Sequence, residues 1–362
     1  MPDPTERVLA QRLATQRLTS APLPEPAEVV ELLTCVQCQE RDHALFSLGL
    51  RTRGATMAGV RAALDRGDFV RTHILRPTWH FVRPADLRWI LALTSPRVER
   101  SMAARHRQLE LDDAKVVGRG LDALAEVLAG PNPLTRIEIG ALGHPALPAA
   151  GERLGHLLLV AELRGLICSG PSKGVHHSYV LVDEVVPPTP ELDAEEALAR
   201  LVHRFFAGHG PASAQDFARW SSLTLGDTRR GVAALGDALS CTEVDGIPLW
   251  FDPTVRPRRQ PRPPAAWLLP TYDEAVLTYP ALNFTPAANH PRPKVEDPFW
   301  ARIVHGTTNV GAWKRTVGRD RVTVRVELAP VAEPVRADVR VAAERMAGFL
   351  ELPLDYDEKV ER

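Results

Sequence analysis

One pattern, met three times, constrains this 362-residue chain more than any other feature. Each copy reads helix, helix, helix, then two strand-like runs. In the first, spanning about 27–83, a short helix at Ala27–Leu33 precedes HALFSLGL. Thr56 then caps TMAGVRAALDRG, which ends at Gly67, and FVRTHIL and WHFV follow as strands. The second copy opens with a helix over Asp113–Leu128. Thr135 caps TRIEIGALG, GERLGHLLLVAELRG ends at Gly165, and LICS and SYVLVDE flank the Gly-rich tip GPSKGVHH. The third runs through DAEEALARLVHRFFAGHG, SAQDFARW and a helix capped by Thr224, then ALSCTEV and IPLWF across Asp245-Gly246. This is the order of a winged helix, a helix-turn-helix with a β-hairpin appended. Repetition at similar spacing strengthens the reading. The second and third copies lack the first one's arginines and also read as packing scaffold.

The remaining segments complete an α+β chain: three tandem winged-helix (helix-turn-helix plus β-hairpin) units with a β-rich C-terminal module. An N-terminal helix is expected, capped by Asp3 with Pro4 at its first position and Glu6 in capping-box spacing. The expected divisions are 1–110, 111–187, 188–254, a Pro/Arg-rich linker at 255–264, and 265–362. In the last, AWLLPTYDEAVL, ARIVHGTTNVGAWKRTV and RVTVRVELA alternate as strands do, and a helix around Ala337–Phe349 is expected to end the fold. NFTPAANHPRPK (283–294) reads as a loop or hairpin able to probe a groove.

Composition removes several function classes. No apolar run approaches the roughly 20 residues of a membrane helix. The start, MPDPTERVLAQRL, lacks the apolar core of a signal peptide, so a cytoplasmic protein without a membrane partner is expected. Formal net charge is −1, which does not announce a nucleic-acid binder. The charge is uneven, however: Arg41 to Glu110 carries 13 Arg against 6 acids, enough for one basic face. Cys35 and Cys38 form a C-x-x-C near His43, but Cys168 and Cys241 stand alone in strand-like runs. Ordinary buried or half-buried thiols fit better than a structural zinc site, so neither metal nor cofactor is expected. Phosphate-binding glycine loops and the G-x-S-x-G elbow are missing, which removes NTPase, dehydrogenase and α/β-hydrolase readings.

The unusual local feature is Gln37-Cys38-Gln39. In an extended segment, residues i and i+2 share a side, roughly 6.5–7 Å apart. On a helix they diverge by about 200°. The residues alone favour a polar surface helix with no special role.

The run TCVQCQERDHALFSLGLRTRG, with RPTWHFVRPADLRW and later LLPTYDE, resembles the AlkZ-like DNA glycosylases over most of the chain. Cys38 stands where that family's Gln-Φ-Gln motif carries a larger aliphatic, a mild departure. The resemblance implies excision of N7-alkylguanine and unhooking of bulky, azinomycin-type interstrand crosslinks, hence self-resistance to a genotoxic natural product. It makes Gln37 and Gln39 the catalytic pair.

Glutamine suits that chemistry. N7-alkylguanine is already cationic and leaves without protonation. The enzyme must place a water and favour a developing oxocarbenium sugar, which amide dipoles can do. Duplex DNA carrying alkylated or crosslinked purines is the expected partner of a monomer. Of five Lys none lies beside the motif, so a Schiff-base lyase step is not expected. Phosphate contacts are expected from Arg41, Arg51, Arg53, Arg71 and Arg76, and from Arg258 and Arg259 in the linker. His80 could contact DNA or be a satisfied strand histidine. His176 and His177 lie on the second wing, and a wing often touches DNA. Asp273 and Glu274 are fallback general bases, with a structural role favoured. The main rival function is a non-enzymatic winged-helix transcription regulator. A protein sequestering the alkylating agent would need an apolar pocket that nothing in the sequence announces.

Overall fold

The computed structural model describes residues 3–290 and 300–360. Helix α1 (Pro4–Thr15) opens the chain; Asp3 stands at its N-cap but forms no side-chain capping bond. The first repeat comprises α2 (Pro26–Leu33), β1 (Cys35–Gln37), α3 (Arg41–Gly49), α4 (Met57–Asp65), β2 (Val70–Arg76) and β3 (Thr78–Val82). Helix α5 (Pro84–Gln108) leads to the second: α6 (Ala114–Val127), β4 (Leu134–Thr135), α7 (Arg136–Ala141), α8 (Gly151–Leu163), β5 (Ile167–Lys173), β6 (His176–Leu181) and the short α9 (Val182–Val185). The third has α10 (Ala194–His209), α11 (Ala214–Ser221), α12 (Leu225–Leu235), β7 (Ser240–Val244) and β8 (Ile247–Phe251).

A small extra strand between the first two helices unites the repeats. It orders the sheets as β1-β3-β2 and β4-β6-β5. In the third repeat it shrinks to one bridge, Ala212 to Trp250. The third hairpin turns at Asp245-Gly246, both at positive φ (52° and 75°), the geometry such a two-residue turn needs. The second hairpin turns more tightly than its Gly-rich tip suggested, because Lys173 pairs with His176.

The C-terminal region contains β9 (Ala266–Leu268), α13 (Glu274–Leu277), β10 (Thr285–Pro286), β11 (Ala301–His305), β12 (Thr308–Val317), β13 (Val322–Leu328), α14 (Glu333–Leu350) and β14 (Leu354–Val360). The sheet runs β14-β13-β12-β11-β9, with β10 joined to β12. Two expectations change here. AWLLPTYDEAVL is strand only to Leu268; after Pro270 the Asp273 carboxylate accepts from the Ala275 N–H and starts α13. Nor does the terminal helix end the fold. Glu351 turns the chain at φ 56°, and β14 returns parallel to β13, its alternate residues half-buried. Of the expected loop at 283–294, residues 291–294 lie outside the described residues.

The cores cross the repeats. Phe46, Val36 and Cys38 share one cluster with Trp313, Val326 and Met346, so the first repeat lies against the C-terminal sheet. A second cluster joins β2 and α5 to Phe205, Phe217 and Trp220 of the third repeat. Burying side chains of this size stabilises by about 1.5–3 kcal/mol each. Cys35, Cys38 and Cys168 are buried free thiols, whereas Cys241 is exposed, on a hairpin strand with little covering it. Among the described residues no helix is long and apolar enough to cross a membrane.

Candidate functional site

Local geometry makes the glutamine motif extended. Thr34, at φ 65°, ends α2 and redirects the chain into β1. Cys35, Val36 and Gln37 pair with Val82, Phe81 and His80. The Cys38 N–H donates to the Trp79 carbonyl at 2.8 Å, carrying the ladder one residue further. Cys38 is fully buried and anchors the turn into α3. The surface-helix alternative is therefore excluded.

The two glutamines are not equivalent. Gln39 is exposed and makes no side-chain hydrogen bond among the described residues. Gln37 is 7% exposed and held at both ends. Its backbone N–H donates to Glu274 Oε1 at 2.9 Å, and its Oε1 accepts from Arg76 Nη2 at 2.5 Å. A guanidinium only donates, so the amide must turn its oxygen to Arg76 and leave its Nε2 hydrogens free.

Arg76 is itself fixed. It donates to the Trp220 carbonyl at 3.0 Å and lies 3.2 Å from His80 Nε2. His80 Nδ1 donates to the Thr78 carbonyl at 2.9 Å, which leaves Nε2 as the acceptor. Burial, then the Arg76 charge, pushes His80 far below the usual histidine range, so it is neutral. Burial also lowers Arg76, against the opposing pull of Glu274. Burial would raise Glu274, but His209, Arg76 and the Gln37 N–H together hold it below its usual value. A carboxylate thus fixes the Gln37 backbone while a guanidinium fixes its side chain.

Several residues expected to meet phosphate are interior. Arg51 is fully buried and donates to both Asp273 oxygens, at 2.8 and 2.7 Å. Two residues on, Arg53 is exposed. Arg71, 4% exposed, stacks 4.1 Å over Trp79 and reaches the Cys38 carbonyl. His80 is wholly buried. Arg76 is half-buried and occupied by Gln37. Desolvating a guanidinium demands local acceptors, which Arg51 and Arg76 find inside the protein; Arg71 finds one, and its Nε and Nη1 are buried without a partner. Arg41 remains partly open beside Gln39, touching the Val175 carbonyl at the second hairpin's tip. The structure therefore gathers Gln37, Gln39, Arg41, Arg71, Arg76 and His80, and separates Arg51, Arg53, Arg258 and Arg259 from them. His177 packs edge-on to Trp79, 5.6 Å between centroids, while His176 is exposed.

Both acidic fallbacks are occupied as acceptors inside the protein. Asp273 also accepts from Ser47 Oγ at 2.7 Å, Glu274 from Thr278 Oγ1 at 3.0 Å, and both are wholly buried. The sequence reading missed Glu162. From α8 of the second repeat it pairs with His73 at 2.5 Å and accepts from Trp79 Nε1 at 3.3 Å. Its signal was there: a lone acid inside the apolar run LLLVAEL.

The model of the family described as DNA glycosylase AlkZ-like matches residues 30–349. The chain belongs to the AlkZ-like DNA glycosylase family. An AlkZ-like relative from Streptomyces sahachiroi, named as an interstrand DNA cross-link repair glycosylase, is 26% identical over 260 residues, covering 66% of this chain and 67% of its own. The solved structure of Streptomyces sahachiroi DNA glycosylase AlkZ superposes with a TM-score of 0.72 at 22% identity, over 98% of this chain and all of that one. At that identity the likeness speaks for the AlkZ-like fold.

Proposed function

We propose that this protein hydrolyses the N-glycosidic bond of N7-alkylguanine in duplex DNA, and that it unhooks interstrand crosslinks of the azinomycin type, so conferring self-resistance to a genotoxic natural product. The three repeats serve as winged-helix units of a monomer. The observation that carries this reading is the extended Gln37-Cys38-Gln39, with one glutamine pinned and the other open. The Gln39 amide oxygen accepts a hydrogen bond from the attacking water, and its dipole faces the developing oxocarbenium. The free Nε2 of Gln37 donates to that water's oxygen, leaving its remaining lone pair for C1′. The cationic base departs neutral without an acid. Water supplies the nucleophile and the proton it sheds on bonding to C1′ passes to solvent, so the product is an abasic site and the enzyme is monofunctional.

The test is base release from a duplex carrying one N7-methylguanine, with Gln37→Ala and Gln39→Ala compared with wild type after folding and DNA binding are confirmed. Release by wild type, reduced at least about 100-fold in each variant, is expected. A duplex with uncharged ethenoadenine should release little. Intact DNA binding without release would instead favour the regulator.

A further inference from the structure

A second cluster of guanidiniums lies at the far end of α3, about 12 Å along that helix from the glutamine motif. Here a groove of about 280 Å³ opens between the end of α1, the loop after α3, the 255–264 segment and α14. Arg17, Arg53 and Arg345 line it, and among the described residues no carboxylate does. The backbone of the linker runs beside it: the Ala21 N–H donates to the Arg258 carbonyl at 2.8 Å, and Ser20 bridges to Arg259. None of the three lining arginines forms an ion pair among the described residues.

Two of them hold costly arrangements. Arg17 sits at φ 63°, where an L side chain is disfavoured, and its Nε is buried without a partner. Arg345 lies 4.5 Å over Trp267 and donates to the Ala266 carbonyl, yet its Nε is also buried and unpartnered. Burial lowers Arg345 to about 10, the mark of a cation short of counter-charge.

We propose that this groove is a phosphate-binding site, separate from the glutamines, in which Arg17, Arg53 and Arg345 grip a phosphate ester. Planar guanidinium forks match phosphate oxygens, and Phe46 and Phe349 offer the sugar side an apolar wall. The phosphate comes either from a nucleic-acid backbone or from a free small molecule. The site does not depend on the Gln37–Gln39 chemistry, and binding of undamaged DNA tests it without any base release.

The full chain is titrated with a fluorescent, undamaged 21-base-pair duplex at several salt concentrations, and separately with glycerol 3-phosphate against chloride of equal ionic strength. Exposed Arg53 is changed to Ala and Arg345 to Gln; Arg319→Ala, an exposed arginine elsewhere, is the control. A backbone site predicts a salt slope reduced by about one in Arg53→Ala, with several-fold weaker binding, and no change in Arg319→Ala. A small-molecule site predicts unchanged duplex binding, with thermal stabilisation by glycerol 3-phosphate lost in Arg53→Ala and Arg345→Gln. Unchanged duplex slopes together with no phosphate-specific stabilisation would overturn the proposal. Because Arg53 is exposed, its variant gives an answer even if Arg345→Gln folds poorly.

Discussion

The three repeats enter their second helix differently. In the second repeat, Thr135 and Glu138 form a reciprocal capping box at the start of α7. In the third, Ser213 and Asp216 do the same for α11. In the first, the strand residues are followed by Cys38, Gln39 and Glu40, and α3 starts without a side-chain cap. The position three residues into the helix, acidic in the sister repeats, is His43. Where the second and third repeats spend residues on local stability, the first carries the glutamines. Support for that place comes from long range, through Arg76, Glu274 and the C-terminal sheet.

The largest expected effect tests whether that distant support is real. Arg51, just past the end of α3, pairs with Asp273, the N-cap of α13, whose first residue is Glu274 beneath Gln37. Arg51→Met leaves a buried carboxylate unpaired and should cost about 3–5 kcal/mol in urea unfolding. Pairing it with Asp273→Asn should recover much of the loss. A loss as small as that of exposed Arg53→Ala would break the comparison.

Next comes Arg76, argued to position Gln37. Arg76→Met should lower kcat about 10- to 100-fold at little change in KM, because a small misplacement at the reacting centre is costly. In a Gln37→Ala background the same change should do almost nothing to kcat, since the positioned group is gone. Additive losses would show that Arg76 acts elsewhere.

The contrast at the third helical position can be read by pH. His43 stacks on Trp313 at 5.8 Å, and burial, then the charge of Arg315, lowers it to about 4. The unfolded chain holds this proton near pH 6.5, so acid favours unfolding from there down to about pH 4. By pH 5 the contribution lost is about 2 kcal/mol. Glu138, its counterpart in the second repeat, is lowered to about 2, first by the Thr135 N–H, so it keeps its charge throughout that range. His43→Gln should therefore flatten the fall in urea midpoint between pH 7 and 5, whereas Glu138→Gln should leave that fall unchanged.

Much of this was legible in the sequence, for physical reasons that also mark the limit. Element order follows from local periodicity and caps: Thr56, Thr135 and Thr224 each accept the expected backbone N–H. What a side chain meets across the fold does not. Arg51 and Arg53 are two residues apart, one sealed against Asp273 and the other in solvent. Glu274 reaches Gln37 across 237 residues, and no spacing rule spans that distance. The residues of Gln37-Cys38-Gln39 alone favour a surface helix, wrongly, because three residues carry no period. Pairing with β3 decided it. The strand β14 was hidden because its outward-facing residues are charged and resemble a polar tail.

The smallest effects return to the caps. Thr135→Ala and Ser213→Ala should each cost about 1 kcal/mol. Glu40→Ser would give the first repeat the side chain its sisters use. A serine cap also needs backbone that aims its oxygen at the third N–H, and Thr135 and Ser213 have ψ of 162° and 165°. Glu40 has ψ of 93°, a bend imposed by the strand that carries Gln37. The gain from Glu40→Ser should therefore stay below about 0.5 kcal/mol. A full 1 kcal/mol, with base release intact, would mean the turn is free to adopt the sister geometry. The missing cap would then be incidental to the glutamines, since their backbone would tolerate both.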